Sequence, residues 1–431
     1  MKKHIKLLIV LGIILVGSFS FYLFKGFKKD TLVYENNKIK PSSSGIAMML
    51  ETAAGSGNYE MTTRSEWPTE GYVFNANLSK CENGSELSWD NENKKVLMSG
   101  NKSDKCYVYF DIKPQQVLLA YYVKSLYVSN NGENGIYYHD ASLTNGAGDN
   151  SYRFAGASTE VNNYVCFGST TTPCPADNLY RIIGVFGDKV KLIKSDYATS
   201  ALLGTDGDYK QAYTATDTKG DASTNYKGNN LANIATYTWN YKNNTSINNG
   251  NGSNTWSTSL LNKTNLNQNF ITNIGTEWAN KIDMTTWKVG GNTSDIIEEV
   301  IPSVAYQNEI VNPVTTNSTD NQTEYSAKIG LMYASDYGFA AAPSAWTINL
   351  FDYDSEAIKI KNVNWMYMGL NEWTISRNAD RAYDVFFVDY VGNLYGISAN
   401  LEVAIRPVFY LSSSVTYADG DGSQNSPIRL S

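Results

Sequence analysis

Histidine is nearly missing from this chain of 431 residues: there are two, His4 and His139. His4 lies in the leader. A Ser-His-Asp or Cys-His centre therefore has one candidate, on a Gly/Asn-rich stretch that makes a poor platform, and His139 reads as a plain surface residue. No GxSxG, HExxH or GxxxxGK[ST] occurs. Ser99-Gly100-Asn101-Lys102 matches SxxK, but it falls in a turn without companion motifs and reads as chance. Charge is also scarce, at 18% of residues. Residues 1–30 hold six lysines and one aspartate. Taking these from 35 basic and 42 acidic residues leaves 29 against 41 on the rest. An acidic remainder with no basic cluster excludes nonspecific nucleic-acid binding. Cysteine is limited to four. CFGSTTTPC has the wrong spacing for a zinc knuckle, so no metal site and no cofactor are expected.

One long apolar run is present. Residues 7–24, LLIVLGIILVGSFSFYLF, carry no charge and are just long enough to cross a bilayer as a helix. Three lysines flank each side, so charge does not orient it. The alternative is a cleaved signal peptide with its small-x-small site at Ser18-Phe19-Ser20. No cysteine lies nearby, which excludes lipoprotein processing. The expected organisation has residues 1–30 as a membrane anchor and 31–68 as a flexible stalk rich in Ser and Gly. Within that stalk, IAMMLETAA reads as a possible short helix.

Residues 69–113 read as a small β domain, with strands near GYVFN, ELSWD, KKVLMSG and CYVYFDI. Cys81 and Cys106 bracket two of them. Four cysteines allow three pairings. Nearest-neighbour pairing, Cys81 with Cys106 and Cys166 with Cys174, keeps each bond within one domain. Residues 114–163 read as a connector. Pro114 opens an amphipathic helix carrying Leu118, Leu119, Tyr122, Val123 and Leu126 on one face, and an irregular Gly/Asn-rich part follows. Residues 164–431 read as a C-terminal α+β domain. Its hairpin is NLYRIIGVF and KVKLIKSDY around Gly187-Asp188, with Lys189 and Lys191 on the face away from Val190 and Leu192. Residues 199–255 read as long loop. Helical patterns follow at 257–262 and 266–282, and Ser335 suits a helix cap. The richest sheet signal is residues 364–411, which end in the strand VAIRPVFYL.

Several residues are candidates for chemistry. Asp352, Asp354, Glu356, Asp384 and Asp389 could supply a glycosidase pair. Asp419 and Asp421 sit at alternate positions as in a calcium loop, although YADGDGSQNSP reads better as a Gly-rich turn. Arg406, in an apolar strand, reads as one half of a structural ion pair. The residues chosen as a ligand site are Trp346, Trp373, Arg377 and Arg381, on the loop 341–382. Tryptophan and arginine with polar neighbours suit glycan or protein surfaces.

NLYRIIGVFGDKVKLIKSDY, WSTSLLNKTNLNQNF, AKIGLMYASDYGFAA, NEWTIS and VAIRPVFYL occur in an order that resembles an uncharacterised domain family of bacterial surface proteins. The likeness covers about residues 160–431. That family is distantly similar to C-type-lectin-like folds, including sulfatase-modifying factors. The resemblance implies an α+β chain: an N-terminal transmembrane helix, a small disulfide-stapled β unit, and a larger C-type-lectin-like mixed domain with a twisted antiparallel sheet and flanking helices. The modifying factors use C-terminal cysteines, and here none follows Cys174. The lectin calcium motifs EPN, QPD and WND are absent too. Neither formylglycine chemistry nor calcium-dependent sugar binding is implied. The expectation is a single-pass membrane protein with its bulk extracellular, which binds a glycan or protein ligand without catalysis. A cell-wall glycoside hydrolase and a structural wall or pilus-like subunit are the alternatives.

Overall fold

The computed structural model describes residues 45–68, 70–101, 103–113, 117–217, 222–228, 230–241, 250–292, 299–314, 322–354 and 359–431. The expected anchor at 1–30, the first part of the stalk, Pro114 and Glu356 lie outside these residues. No helix among the described residues is long and apolar enough to cross a membrane. The chain divides into two compact units, Met1–Gln115 and Gln116–Ser431. The described residues of both are mostly β, with few and short helices.

In the first unit, Ile46–Glu51 is a strand. It pairs in parallel with Cys106–Ile112 and antiparallel with Tyr59–Met61. This corrects two expectations, the helix in IAMMLETAA and a flexible stalk reaching residue 68. Five apolar residues ahead of Glu51 fit either period. Here Ile46, Met48 and Leu50 alternate into the core, which is the strand period of two. Tyr72–Phe74 and Lys80–Cys81 also pair with Cys106–Ile112, and Glu86–Asp90 forms a separate hairpin with Lys95–Ser99. Cys81 and Cys106 are directly paired in register and disulfide-bonded, 25 residues apart. Closing a loop of that length contributes roughly 3 kcal/mol, which matters where the core is as small as Met48, Met98, Val108, Phe110 and their neighbours.

The second unit holds two seven-stranded sheets. The first runs Ile329–Gly330, Val408–Tyr410, Lys189–Lys194, Leu179–Phe186, Ser151–Phe154, Ile136–His139, with Tyr164–Cys166 also on Leu179–Phe186. The expected hairpin is there, and Phe186 pairs with Lys189 across Gly187 and Asp188. Gly187 has φ +64, a region that glycine enters freely. The irregular connector is not there. Ile136–His139 and Ser151–Phe154 are strands of this sheet, so the unit begins well before residue 164. Composition hid them, because the Gly and Asn residues are concentrated in the flanking turns. The amphipathic helix runs Leu119–Ser125 and buries Leu119 and Val123. Leu118 belongs to the strand before it.

The second sheet runs Tyr209–Ala212, Ala235–Tyr237, Val403–Ala404, Glu372–Asn378, Asp384–Val388, Leu394–Ser398, with Gly291–Asn292 beside Glu372–Asn378. Two of its strands fall in the expected long loop 199–255. VAIRPVFYL is not one strand. Val403–Ala404 lies in this sheet and Val408–Tyr410 in the other, so the chain changes sheets at Ile405-Arg406-Pro407. Proline lacks the N–H that a continuing ladder needs, which suits a crossing point. Arg406 pins it as an ion pair with Glu372 at 2.7 Å, as expected. Cys166 and Cys174 form the second disulfide. Ser335 does not cap its helix: it is the second residue of Ala334–Phe339, and Asp336 takes the Tyr333 N–H at 3.0 Å instead.

Candidate functional site

The tryptophans chosen from sequence are core residues. Trp373 is fully buried, with its indole N–H on Tyr237 O at 2.9 Å. Trp346 is buried against His139 and Phe339, with its N–H on Ala341 O at 2.9 Å. Arg377 is buried as well, and burial lowers its guanidinium to about 10. Arg381 alone reaches solvent, 3.2 Å from Asp384. These four residues form no exposed patch, which corrects the expected site. An exposed aromatic and a core aromatic look alike in sequence, and burial decides between them.

His139 is corrected in the same way. It ends a strand, is 0% exposed, and accepts the Ala147 N–H at Nδ1. Burial, then the nearby Arg153 charge, holds it well below its ordinary value, so it stays neutral. Among the described candidate carboxylates, Asp354 lies close enough for its charge to act on Asp389, which is raised chiefly by burial. Asp352 and Asp354 are exposed, and Asp384 faces Arg381. Asp389 is buried under the N–H groups of Val391, Gly392 and Asn393 and serves their turn. Asp421 accepts the Ser423 N–H at 2.9 Å within the C-terminal turn. No group of three or more His, Cys, Asp or Glu that could hold a metal ion occurs among the described residues.

A cleft of about 630 Å³ lies elsewhere in the second unit. It is built from segments far apart in sequence: 158–164, 176–181, 195–201, 227–234, 367–368 and Gln424. Arg181 holds one wall. Its guanidinium is buried between the rings of Tyr164 at 4.3 Å and Trp365 at 4.7 Å. It donates to Asn163 Oδ1 at 2.6 Å, Ser158 Oγ at 2.7 Å and Val161 O at 2.9 Å, which fixes the loop above it. Burial lowers it to about 10, and these acceptors satisfy it in place of a carboxylate. Asp196, also in the lining, accepts the Tyr197 N–H at 2.7 Å and the Tyr226 hydroxyl at 2.6 Å. Burial first, then the Asp196 charge, pushes the Tyr226 phenol upward, so it remains a donor. Gly228 permits this closeness: a Cβ there would meet Tyr226 Oη at 2.1 Å and Asp196 Oδ2 at 2.3 Å.

Lys227 and Tyr367 complete the cleft. The ammonium lies 5.1 Å from the ring centroid and donates to Lys361 O. Burial, then the Lys361 charge, lowers the Lys227 amine. The Tyr367 hydroxyl is taken by Tyr390 O at 2.6 Å. The cleft thus combines tyrosine rings with hydroxyls, amides, one ammonium and the carboxylates of Asp177 and Asp196. Tyr197 and Tyr367 are buried, so their rings back the cleft, and the groups at its surface are hydroxyls, amides, the ammonium and the carboxylates. Its residues carry no motif spacing, so no local signal marks them. No protein family, curated protein or solved structure matches this chain.

Proposed function

We propose that the chain is a membrane-anchored bacterial surface protein whose C-terminal unit binds a glycan, without catalysis, in the cleft between Arg181 and Asp196. The observation that carries this reading is the cleft's lining: hydrogen-bond donors and acceptors gathered from distant segments, several of them fixed by bonds to the fold. Binding needs less preorganisation where the side chains are already held. Export rests on the apolar run at 7–24 and on two disulfides, which persist in oxidising compartments. The relationship to C-type-lectin-like folds belongs to the same proposal. It is supported by the order of the motifs, by the hairpin Leu179–Phe186 and Lys189–Lys194, and by the closing strand Val408–Tyr410 beside it. A second reading, glycoside hydrolysis, has one observation in its favour: Asp177 and Asp196 share the cleft.

Intact cells carrying the full chain are expected to be retained on an array of microbial and host glycans, and external protease should abolish retention. The exposed lining residues Asp177, Lys227 and Gln424 take no part in the core. Changing all three to Ala should leave the thermal transition unmoved and weaken binding by roughly tenfold or more, at about 1 kcal/mol per lost hydrogen bond. Equal retention by the triple variant would remove the cleft, protease-resistant copies would remove the exterior placement, and release of reducing ends would favour hydrolysis.

A further inference from the structure

Lys191 sits mid-strand in Lys189–Lys194, where alternation points it away from Val190 and Leu192. Sequence alone leaves it in solvent. In the fold its side chain is 1% exposed, because that face of the sheet is covered too. The rings of Tyr333, Tyr410, Phe186 and Trp287 surround its ammonium, at 4.6, 5.4, 5.5 and 5.7 Å from their centroids. Among the described residues its ionic partner is Asp336, whose Oδ2 lies 2.5 Å away and whose side chain is also 1% exposed. Burial lowers the basicity of the Lys191 amine, and Asp336 opposes that.

The other carboxylate oxygen, Asp336 Oδ1, accepts no hydrogen bond. It faces Arg153 Nη1 at 3.6 Å, an atom that likewise has no hydrogen-bond partner. The remaining edges of Arg153 are fixed by Ser151 Oγ at 2.8 Å and Asp149 Oδ2 at 2.7 Å. A third carboxyl closes the group. Glu309 is fully buried, accepts the Ser376 hydroxyl at 2.5 Å, and accepts the N–H of Ser335, the neighbour of Asp336, at 3.2 Å. Its charge acts on both Lys191 and Asp336. Burial pushes its carboxyl up to about 7, so it can both give and take a proton near neutrality.

We propose that Lys191 and Asp336 form a covalent modification site, condensing into an intramolecular amide with Glu309 as proton carrier and Arg153 facing the oxyanion. Two ions buried among aromatic rings are costly to desolvate, and condensation removes both charges. The ammonium first passes a proton to Asp336 through their hydrogen bond, leaving a neutral amine and a neutral acid. Nζ then attacks Cγ. The new C–N bond forms, and Oδ1 takes the negative charge toward Arg153 Nη1. Glu309 accepts a proton from Nζ and delivers one to Oδ2. The C–Oδ2 bond breaks, water leaves, and Oδ1 returns to a carbonyl. One ammonium and one carboxylate become one amide and one water, nothing is oxidised or reduced, and Glu309 ends as it began. The product ties the central sheet to the helix Ala334–Phe339, independently of what the cleft binds.

Intact mass of the reduced, denatured full chain tests this. The wild-type chain should be lighter than its sequence by one water, with Lys191→Arg and Glu309→Gln at full mass. Trypsin should leave residues 190–194 joined to residues 329–359, because the amide blocks cleavage after Lys191. This peptide is read from the wild-type chain alone, so it remains informative if a variant fails to fold. A full-mass wild-type chain yielding residues 190–191, 192–194 and 329–359 as separate peptides would overturn the proposal. A linked peptide persisting in Glu309→Gln would overturn the proton-carrier role.

Discussion

Trp373→Ala is expected to destabilise the C-terminal unit by roughly 3–5 kcal/mol, the range for emptying a buried tryptophan site. Trp373 is completely excluded from solvent in the strand Glu372–Asn378, with neighbouring strands on both sides. Its ring packs edge-on to Phe387 at 6.2 Å between centroids. Truncation removes that packing and leaves Tyr237 O without the indole donor that now reaches it. Trp373→Phe keeps most of the volume and loses the hydrogen bond, so its cost should fall well below that of Ala. Urea unfolding followed by tryptophan fluorescence and circular dichroism checks both. A loss under about 1 kcal/mol for Trp373→Ala would put the indole outside the core. It also follows that this substitution cannot probe ligand binding.

Glu372→Ala should cost about as much, roughly 3–5 kcal/mol, by stranding a buried guanidinium. Arg406 Nε and Nη2 donate to the two Glu372 oxygens at 2.7 and 2.8 Å, and Nη2 also donates to Met366 O at 2.6 Å. Both side chains are nearly inaccessible, at 1% and 3%. Burial works against the Arg406 charge, and Glu372 outweighs it, holding the guanidinium above its ordinary value. The pair joins a strand of one sheet to the point where the chain crosses into the other, so its loss should loosen both. The double change Glu372→Leu with Arg406→Met should recover most of the stability, since no ion is then left unpaired. Denaturant midpoints of the two variants decide this. If the double variant is no better than Glu372→Ala, the cost lies in geometry rather than in the unpaired charge.

These residues also show what the chain discloses before it folds. The Leu179–Phe186 hairpin was legible because apolar runs flank a glycine turn. The disulfide partners were legible because each pair lies within a short span. Arg406 was legible because a charge inside an apolar run needs a partner. Ile46–Glu51 was not, since its length fits a helix as well as a strand and only the pairing with Cys106–Ile112 decides. Ile136–His139 and Ser151–Phe154 were masked by the turns around them. Lys191 and Trp346 depend on what covers a face, which period alone does not carry. The cleft was the least legible of all: Arg181, Asp196, Lys227 and Tyr367 come from segments far apart in sequence and share no local pattern.

Hydrogen–deuterium exchange of the protein, with and without the strongest-binding saccharide from the array, tests the ligand site most directly. The account predicts slower exchange in residues 158–164, 176–181 and 195–201, which line the cleft. Unchanged exchange in all three, with protection appearing elsewhere in the chain, would contradict it.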